Sequence, residues 1–264
     1  FPRKLPIGVQ SFKDLREKDF IYVDKTQYIF QLIDNAKVYF LSRPRRFGKS
    51  LFLSTLKAYF LGQKELFQGL AIEGWEEAQT DKRAIWQEYP VLYLDFNAES
   101  YRDVSSLETI LHTHLALWEK EYGTEPAENS FSSRFTGIIR RAYEKTGKQV
   151  VVLVDEYDKP LLETMNDNPE LNEIYRKILK GFYGVLKSSD QYLRFAFLTG
   201  VTKFSKVSIF SDLNNLRDIS MEEDYAGLCL GRRKRNRLLR HPRITHDTFM
   251  PLRVGLLSVP ICAG

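Results

Sequence analysis

Cysteine is nearly absent: Cys229 and Cys262 are the only two in 264 residues. That excludes a disulfide framework, offers no zinc-ligand spacing and suits a reducing cytosol, so a cytoplasmic location is expected. Long apolar runs are missing too. No segment reaches the roughly 18 uninterrupted apolar residues that a spanning helix needs, so no membrane partner is expected. Glycine and proline together number only 25, too few for a collagen-like or low-complexity chain. The first residue is Phe1, not Met, and no apolar signal core follows it, as expected of a piece of a longer chain. What is present is ordinary globular composition, 43% hydrophobic and 28% charged, in a length that buries a core without staples.

The net charge of +5 hints at nucleic acid until it is divided along the chain. Residues 231 to 264 carry eight basic side chains and one acid, Asp247. Positions 1 to 230 then hold 31 basic against 33 acidic residues, a net of −2. The basic run from Gly231 to Arg240 is suited to gripping phosphates through counterion release, but its plain reading is a solvated, disordered tail. We therefore expect an ordered domain over 1–230, with residues 1–36 packed on it, and a divergent basic tail over 231–264. Any nucleic-acid partner would be gripped through that tail.

Four apolar runs, Val38 to Leu41, Val91 to Phe96, Val150 to Val154 and Phe195 to Leu198, each read as a buried strand. A fifth is suggested at Leu216 to Ile219. Between them lie helical patterns. The clearest places Leu171, Ile174, Tyr175, Ile178, Leu179, Phe182, Tyr183 and Leu186 on one face. Others run from Ser50 to Phe60 and over parts of 106 to 120 and 133 to 145. Strands separated by helices imply an α/β fold, a parallel sheet covered on both faces.

Directly after the first strand comes Arg43-Pro44-Arg45-Arg46-Phe47-Gly48-Lys49-Ser50, which opens a helix. Its end is a P-loop signature. Gly48 lets backbone approach a phosphate, and the amides around Lys49 and Ser50 aim N–H groups and the helix dipole at the anion. Lys49 is suited to neutralise β and γ phosphates, and Ser50 to ligate magnesium. The pattern calls for glycine where Arg43 stands, and Pro44 has no amide to donate, so the start of the loop must be built differently. Arg43, Arg45 and Arg46 offer guanidinium contacts in compensation. The competing reading is a basic turn with arginines in solvent.

The run Val150 to Val154 ends in Asp155-Glu156, at the strand end where ligands meet an open α/β sheet. Asp155 is suited to hold magnesium and Glu156 to activate the water that attacks the γ phosphate. Alone, two acids after a strand also describe a polar loop start. Together with the glycine-lysine-serine loop they supply two parts of one reaction, provided that both lie at the same rim of the sheet.

These residues resemble the AAA-type P-loop ATPases and, more narrowly, the AAA-ATPase-like family of largely uncharacterised bacterial proteins. The resemblance covers most of residues 5 to 230. It rests on Leu5-Pro6-Ile7-Gly8, Tyr22-Val23-Asp24-Lys25-Thr26, Ser42 to Ser50, Asp155-Glu156-Tyr157-Asp158-Lys159-Pro160 and Leu198 to Phe204. The arginine in place of glycine looks like that family's own loop. The resemblance implies a P-loop NTPase fold with ATP and Mg2+ as cofactors. ATP would bind at Arg45, Arg46, Phe47, Gly48, Lys49, Ser50 and Leu51 with Asp155, Lys49 and Glu156 would be catalytic, and Ser50 and Asp155 would ligate the metal. Thr199 or Thr202 falls where related ATPases sense the γ phosphate. Family members often continue into a domain resembling the PD-(D/E)XK nucleases, which this sequence lacks. A helical lid and an arginine finger from a homo-oligomer or protein partner are not identifiable.

Other residues have plainer readings. Asp24 or Thr26 is expected to cap the helix that begins near Tyr28. Asp158 and Lys159 read as a solvent-exposed ion pair or as contacts to the site or to a neighbouring subunit. His112 and His114 suggest no metal site. The leading expectation is magnesium-dependent hydrolysis of ATP to ADP and phosphate, coupled to conformational change. The alternative is a nucleotide-gated binding or regulatory module with little turnover.

Overall fold

A computed structural model describes residues 4–78, 86–98, 100–202, 209–211 and 213–228. The expected tail at 231–264 lies outside the described residues, as do Lys203 and Phe204. Five strands form one parallel sheet: β1 (Val38–Ser42), β2 (Val91–Asp95), β3 (Val150–Asp155), β4 (Leu193–Gly200) and β5 (Leu216–Asp218). Their spatial order is β2-β3-β4-β1-β5. The chain leaves β1 for the far edge and steps back, so β4 lies between the strand before the P-loop and the strand that ends in the acid pair.

Parallel strands need crossovers, and the helices provide them. They are α1 (Phe12–Glu17), α2 (Gln27–Asn35), α3 (Lys49–Phe60), α4 (Ala71–Ala78), α5 (Val104–Tyr122), α6 (Phe131–Thr146), α7 (Lys159–Thr164) and α8 (Pro169–Ser188). Residue alternation divides the core into two layers. Tyr39, Leu41, Val151, Leu153, Phe195 and Phe197 pack with α1 to α4, while Val38, Phe40, Val150, Val152, Val154, Ala196 and Leu198 pack with α5 to α8. Each fully buried aliphatic or aromatic side chain contributes roughly 1.5–3 kcal/mol. This is an α/β fold of the P-loop NTPase type, with helices on both faces of the sheet.

Position in the sheet corrects two details of the expected pattern. The central strands β1 and β3 are buried throughout, but β2 alternates buried and half-buried residues because it is an edge strand. On α8, Ile174 is exposed and Asn172 is buried in the stripe. The Asn172 amide donates to the Leu161 carbonyl at 2.8 Å and to Thr164 Oγ1 at 2.9 Å, tying α8 to α7.

The segment before β1 packs on α3. The Phe12 amide donates to Ser54 Oγ at 2.9 Å, and α2 buries Tyr28, Ile29, Leu32 and Ile33 in the same layer. The expected capping role of Asp24 and Thr26 is corrected. Thr26 occupies the N-cap position of α2 without capping it. Instead Asp24 Oδ2 accepts from the Ala71 amide at 2.7 Å and Thr26 Oγ1 from the Ile72 amide at 3.1 Å, so the pair caps α4. Asp24 Oδ1 holds the Thr26 hydroxyl in place at 2.7 Å.

Candidate functional site

The P-loop runs from the end of β1 into α3, at the carboxyl rim of the sheet. Gly48 adopts φ +81, in the left-handed region, and a Cβ placed there would meet nothing within 4 Å. Glycine is used here for its backbone freedom and for the open face it leaves above the helix N-terminus. Arg46 is also left-handed, with φ +65. Arg45 and Arg46 are exposed, whereas Phe47 and Leu51 are partly buried against the core layer beneath α3. The loop is thus anchored by apolar side chains and presents Arg45 and Arg46 outward. Leu51, counted among the nucleotide contacts from sequence, turns its side chain to the core.

The loop start lacks glycine and is built from neighbouring strands. The Arg43 amide donates to the Gly200 carbonyl at 3.1 Å. The Arg43 guanidinium donates to the backbone oxygens of Ser42 and Ser220. Ser220 Oγ in turn accepts from the Ser42 amide at 2.8 Å. Arg43 therefore commits a donor to the exit of β5.

Lys49 is 4% exposed. Its ammonium donates to the Arg43 carbonyl at 2.9 Å and lies 3.1 Å from Glu156 Oε1. The lysine that opens α3 and the acid that follows β3 thus meet across β4. Glu156 projects from a left-handed backbone with φ +52. Burial pushes its carboxyl above the usual carboxylate range, and the neighbouring Lys49 charge opposes that shift.

Asp155 is 1% exposed. Its Oδ1 accepts from Thr199 Oγ1 at 2.6 Å, and the Glu156 amide donates to the same hydroxyl at 3.4 Å. Thr199, considered from sequence as a γ-phosphate sensor, spends its proton on Asp155. Thr202 Oγ1 likewise donates to Asp158 Oδ2, at 3.0 Å. Asp158 is fully buried and not part of a solvent-exposed ion pair. Burial raises its carboxyl too, against the hydrogen bonds from residues 201 and 202. Lys159 instead donates to the Asn97 carbonyl at 3.0 Å.

Sequence reasoning did not single out Asp95. It ends β2 in register with Asp155. Successive residues alternate faces, so both carboxylates stand on the α3 side of the sheet. The signal was present: Asp95 follows Val91-Leu92-Tyr93-Leu94 much as Asp155 follows Val150 to Val154, though Phe96 extends the apolar run past it. Ser220 and Gly200 were missed for another reason, since their contacts to the loop start are non-local.

The oxygen donors at this rim suit magnesium, which prefers hard ligands and keeps several waters. Ser50 supplies a hydroxyl in the first turn of α3, and Asp155 has one oxygen engaged by Thr199. Among the described residues no cluster of three or more His, Cys, Asp or Glu forms a metal cage. None of the described helices is long and apolar enough to cross a membrane.

Comparison with known proteins bears on this geometry. A family model described as "Predicted AAA-ATPase" matches residues 6–210. An "Uncharacterized protein in vnfD 5'region" of Azotobacter chroococcum mcd 1 is 45% identical over 229 residues, covering 86% of this chain. The chain spans 43% of that relative's length.

Proposed function

The chain belongs to the predicted AAA-ATPase family, and from that premise we propose that it binds ATP and hydrolyses it to ADP and phosphate. The observation that carries this reading is the 3.1 Å approach of Lys49 to Glu156 at the mouth of the P-loop. A phosphate-neutralising cation and a basic carboxylate belong at one reacting centre.

In this reading the amides at the start of α3 receive the phosphates, and Lys49 exchanges its Glu156 partner for phosphate oxygens. That exchange frees Glu156 to accept a proton from water as the water oxygen bonds to the γ phosphorus. The bond from that phosphorus to the β-bridging oxygen breaks, and ADP leaves. The raised proton affinity of Glu156 suits this role, since a base works best near the operating pH. Ser50 and Asp155 would hold magnesium, which when bound offsets charge on the phosphate oxygens. Arg45 and Arg46, exposed on the loop, add positive charge at its surface.

The direct test is phosphate release by the wild-type protein, Lys49→Ala and Glu156→Gln. Lys49→Ala should lose nucleotide-dependent thermal stabilisation, and Glu156→Gln should keep it while losing turnover. Equal activity in all three removes the assignment. A second reading, a nucleotide-gated module with little turnover, is favoured by the same ion pair, which occupies both reacting groups. ATP binding without phosphate release, with candidate partners present, would select it. In either case the remainder of a longer chain, or a partner subunit, is where the bound state would be felt.

A further inference from the structure

Asp158 is a buried carboxylate with no cation paired to it among the described residues. Such a group is costly unless hydrogen bonds hold it. It occupies the N-cap position of α7, where an aspartate ordinarily caps its own helix, yet its side chain makes no such bond. It faces β4 instead. Its two oxygens accept from the Val201 amide at 3.1 and 3.0 Å, and Oδ2 accepts from the Thr202 amide at 2.7 Å and the Thr202 hydroxyl at 3.0 Å.

These bonds continue a ladder that the sheet itself does not extend. Regular β3–β4 pairing reaches Val154 and Leu198. Beyond it the Glu156 amide meets Thr199 Oγ1, the Tyr157 amide donates to the Thr199 carbonyl at 2.9 Å, and the Tyr157 hydroxyl donates to the Thr202 carbonyl at 3.1 Å. Gly200 has no side chain because there is no room: a Cβ would lie 2.3 Å from the Tyr157 ring and 2.8 Å from Asp158 Oδ1. The turn that carries Glu156 is therefore clamped to the exit of β4 at three successive residues, and Asp158 closes the clamp.

We infer that Asp158 is a positioning residue for Glu156, fixing the exit of β4 against the turn and so holding the left-handed backbone from which Glu156 projects. The inference rests on Glu156 acting as the base. Displacing a reacting group by about 1 Å costs up to about 100-fold in rate, so the clamp bears on turnover more than on binding.

The test compares hydrolysis rates and ATP affinity of the wild-type protein with Asp158→Ala, Asp158→Asn and Thr202→Val. Asp158→Ala should lower kcat by about 10- to 100-fold while ATP affinity stays within about threefold. Asp158→Asn, which keeps one acceptor oxygen, should fall between. The amides of Val201 and Thr202 should exchange with deuterium faster in Asp158→Ala, with or without nucleotide. Unchanged kcat overturns the inference. So does a parallel loss of kcat and affinity that Asp158→Asn does not relieve, since that marks a merely structural role. If Asp158→Ala does not fold, Thr202→Val, which removes one hydroxyl, should still reduce kcat at constant affinity, and unchanged kcat there is equally fatal. A wild-type protein that neither binds nor hydrolyses ATP overturns the reading of Glu156 and this inference with it. An active wild type beside an equally active Asp158→Ala overturns this inference alone.

Discussion

Separating Lys49 from Glu156 should destabilise the protein in a way that depends on which partner is left behind. At 3.1 Å and an effective dielectric of about 20, their gross attraction is about 5 kcal/mol. Desolvation of two buried ions offsets part of it, leaving an expected coupling of about 2–3 kcal/mol. Lys49→Ala strands the buried carboxylate and should cost about 3–5 kcal/mol at neutral pH. Glu156→Gln retains an acceptor, and Lys49 keeps the Arg43 carbonyl, so its cost should be about 1 kcal/mol. The double substitution removes the stranded charge and should be less destabilising than Lys49→Ala alone. A pH dependence follows. The folded-state affinity of Glu156 for its proton is already raised by burial, so its contribution is fully present below the unfolded pKa and is lost as pH rises through the folded one. Removing Lys49 raises the folded value further. The penalty of Lys49→Ala should therefore be small near about pH 5 and larger near about pH 8, whereas Glu156→Gln removes this dependence. Urea denaturation of the four proteins at both pH values measures all of it. Single costs that add to within about 0.5 kcal/mol, with the same Lys49→Ala penalty at both pH values, would refute the reasoning.

Two further outcomes concern stability away from the phosphate site. Asp24→Ala removes the carboxylate that receives the Ala71 amide and should cost about 1–2 kcal/mol, with faster hydrogen exchange at Ala71 and Ile72; loss of protection in α2 instead would place the cap where the sequence suggested. The hydroxyl of Tyr183 is buried with no hydrogen-bond partner among the described residues, so Tyr183→Phe should be neutral or stabilising within about 1 kcal/mol, because the phenol gives up a desolvation penalty and no bond. A lower urea midpoint, corresponding to more than that, would show that the hydroxyl is engaged.

The sequence disclosed the sheet and the rim because those signals are local. An apolar run of four or five residues is a strand wherever it lies, and the acid or glycine that ends it marks the rim. What it did not disclose is where polar side chains spend their hydrogen bonds. Asp24, Thr26 and Asp158 each stand at a helix start, where the nearby partner is the default. Asp24 keeps a local bond to the Thr26 amide, yet all three bond an amide more than 40 residues away, because burial makes any unpaired amide costly and the packed fold chooses which one is at hand. Arg43 adds a non-local partner of the same kind, since folding brings the Ser220 carbonyl to its guanidinium. Even the half-buried alternation of β2 follows from its edge position, a property of strand order that no short window contains.

Strand order also explains why one element recurs in so many of the non-local contacts at the site. With β4 between β1 and β3, its exit touches both the P-loop and the acid turn. Gly200 receives the Arg43 amide, Thr199 engages Asp155 and the Glu156 amide, and residues 201 and 202 fill the oxygens of Asp158. A displacement of the P-loop by phosphate can therefore pass through β4 to the acid pair, as well as along the direct Lys49 to Glu156 contact. Nucleotide that breaks that contact while β4 stays fixed would free the base without moving it, which is the arrangement that water activation requires.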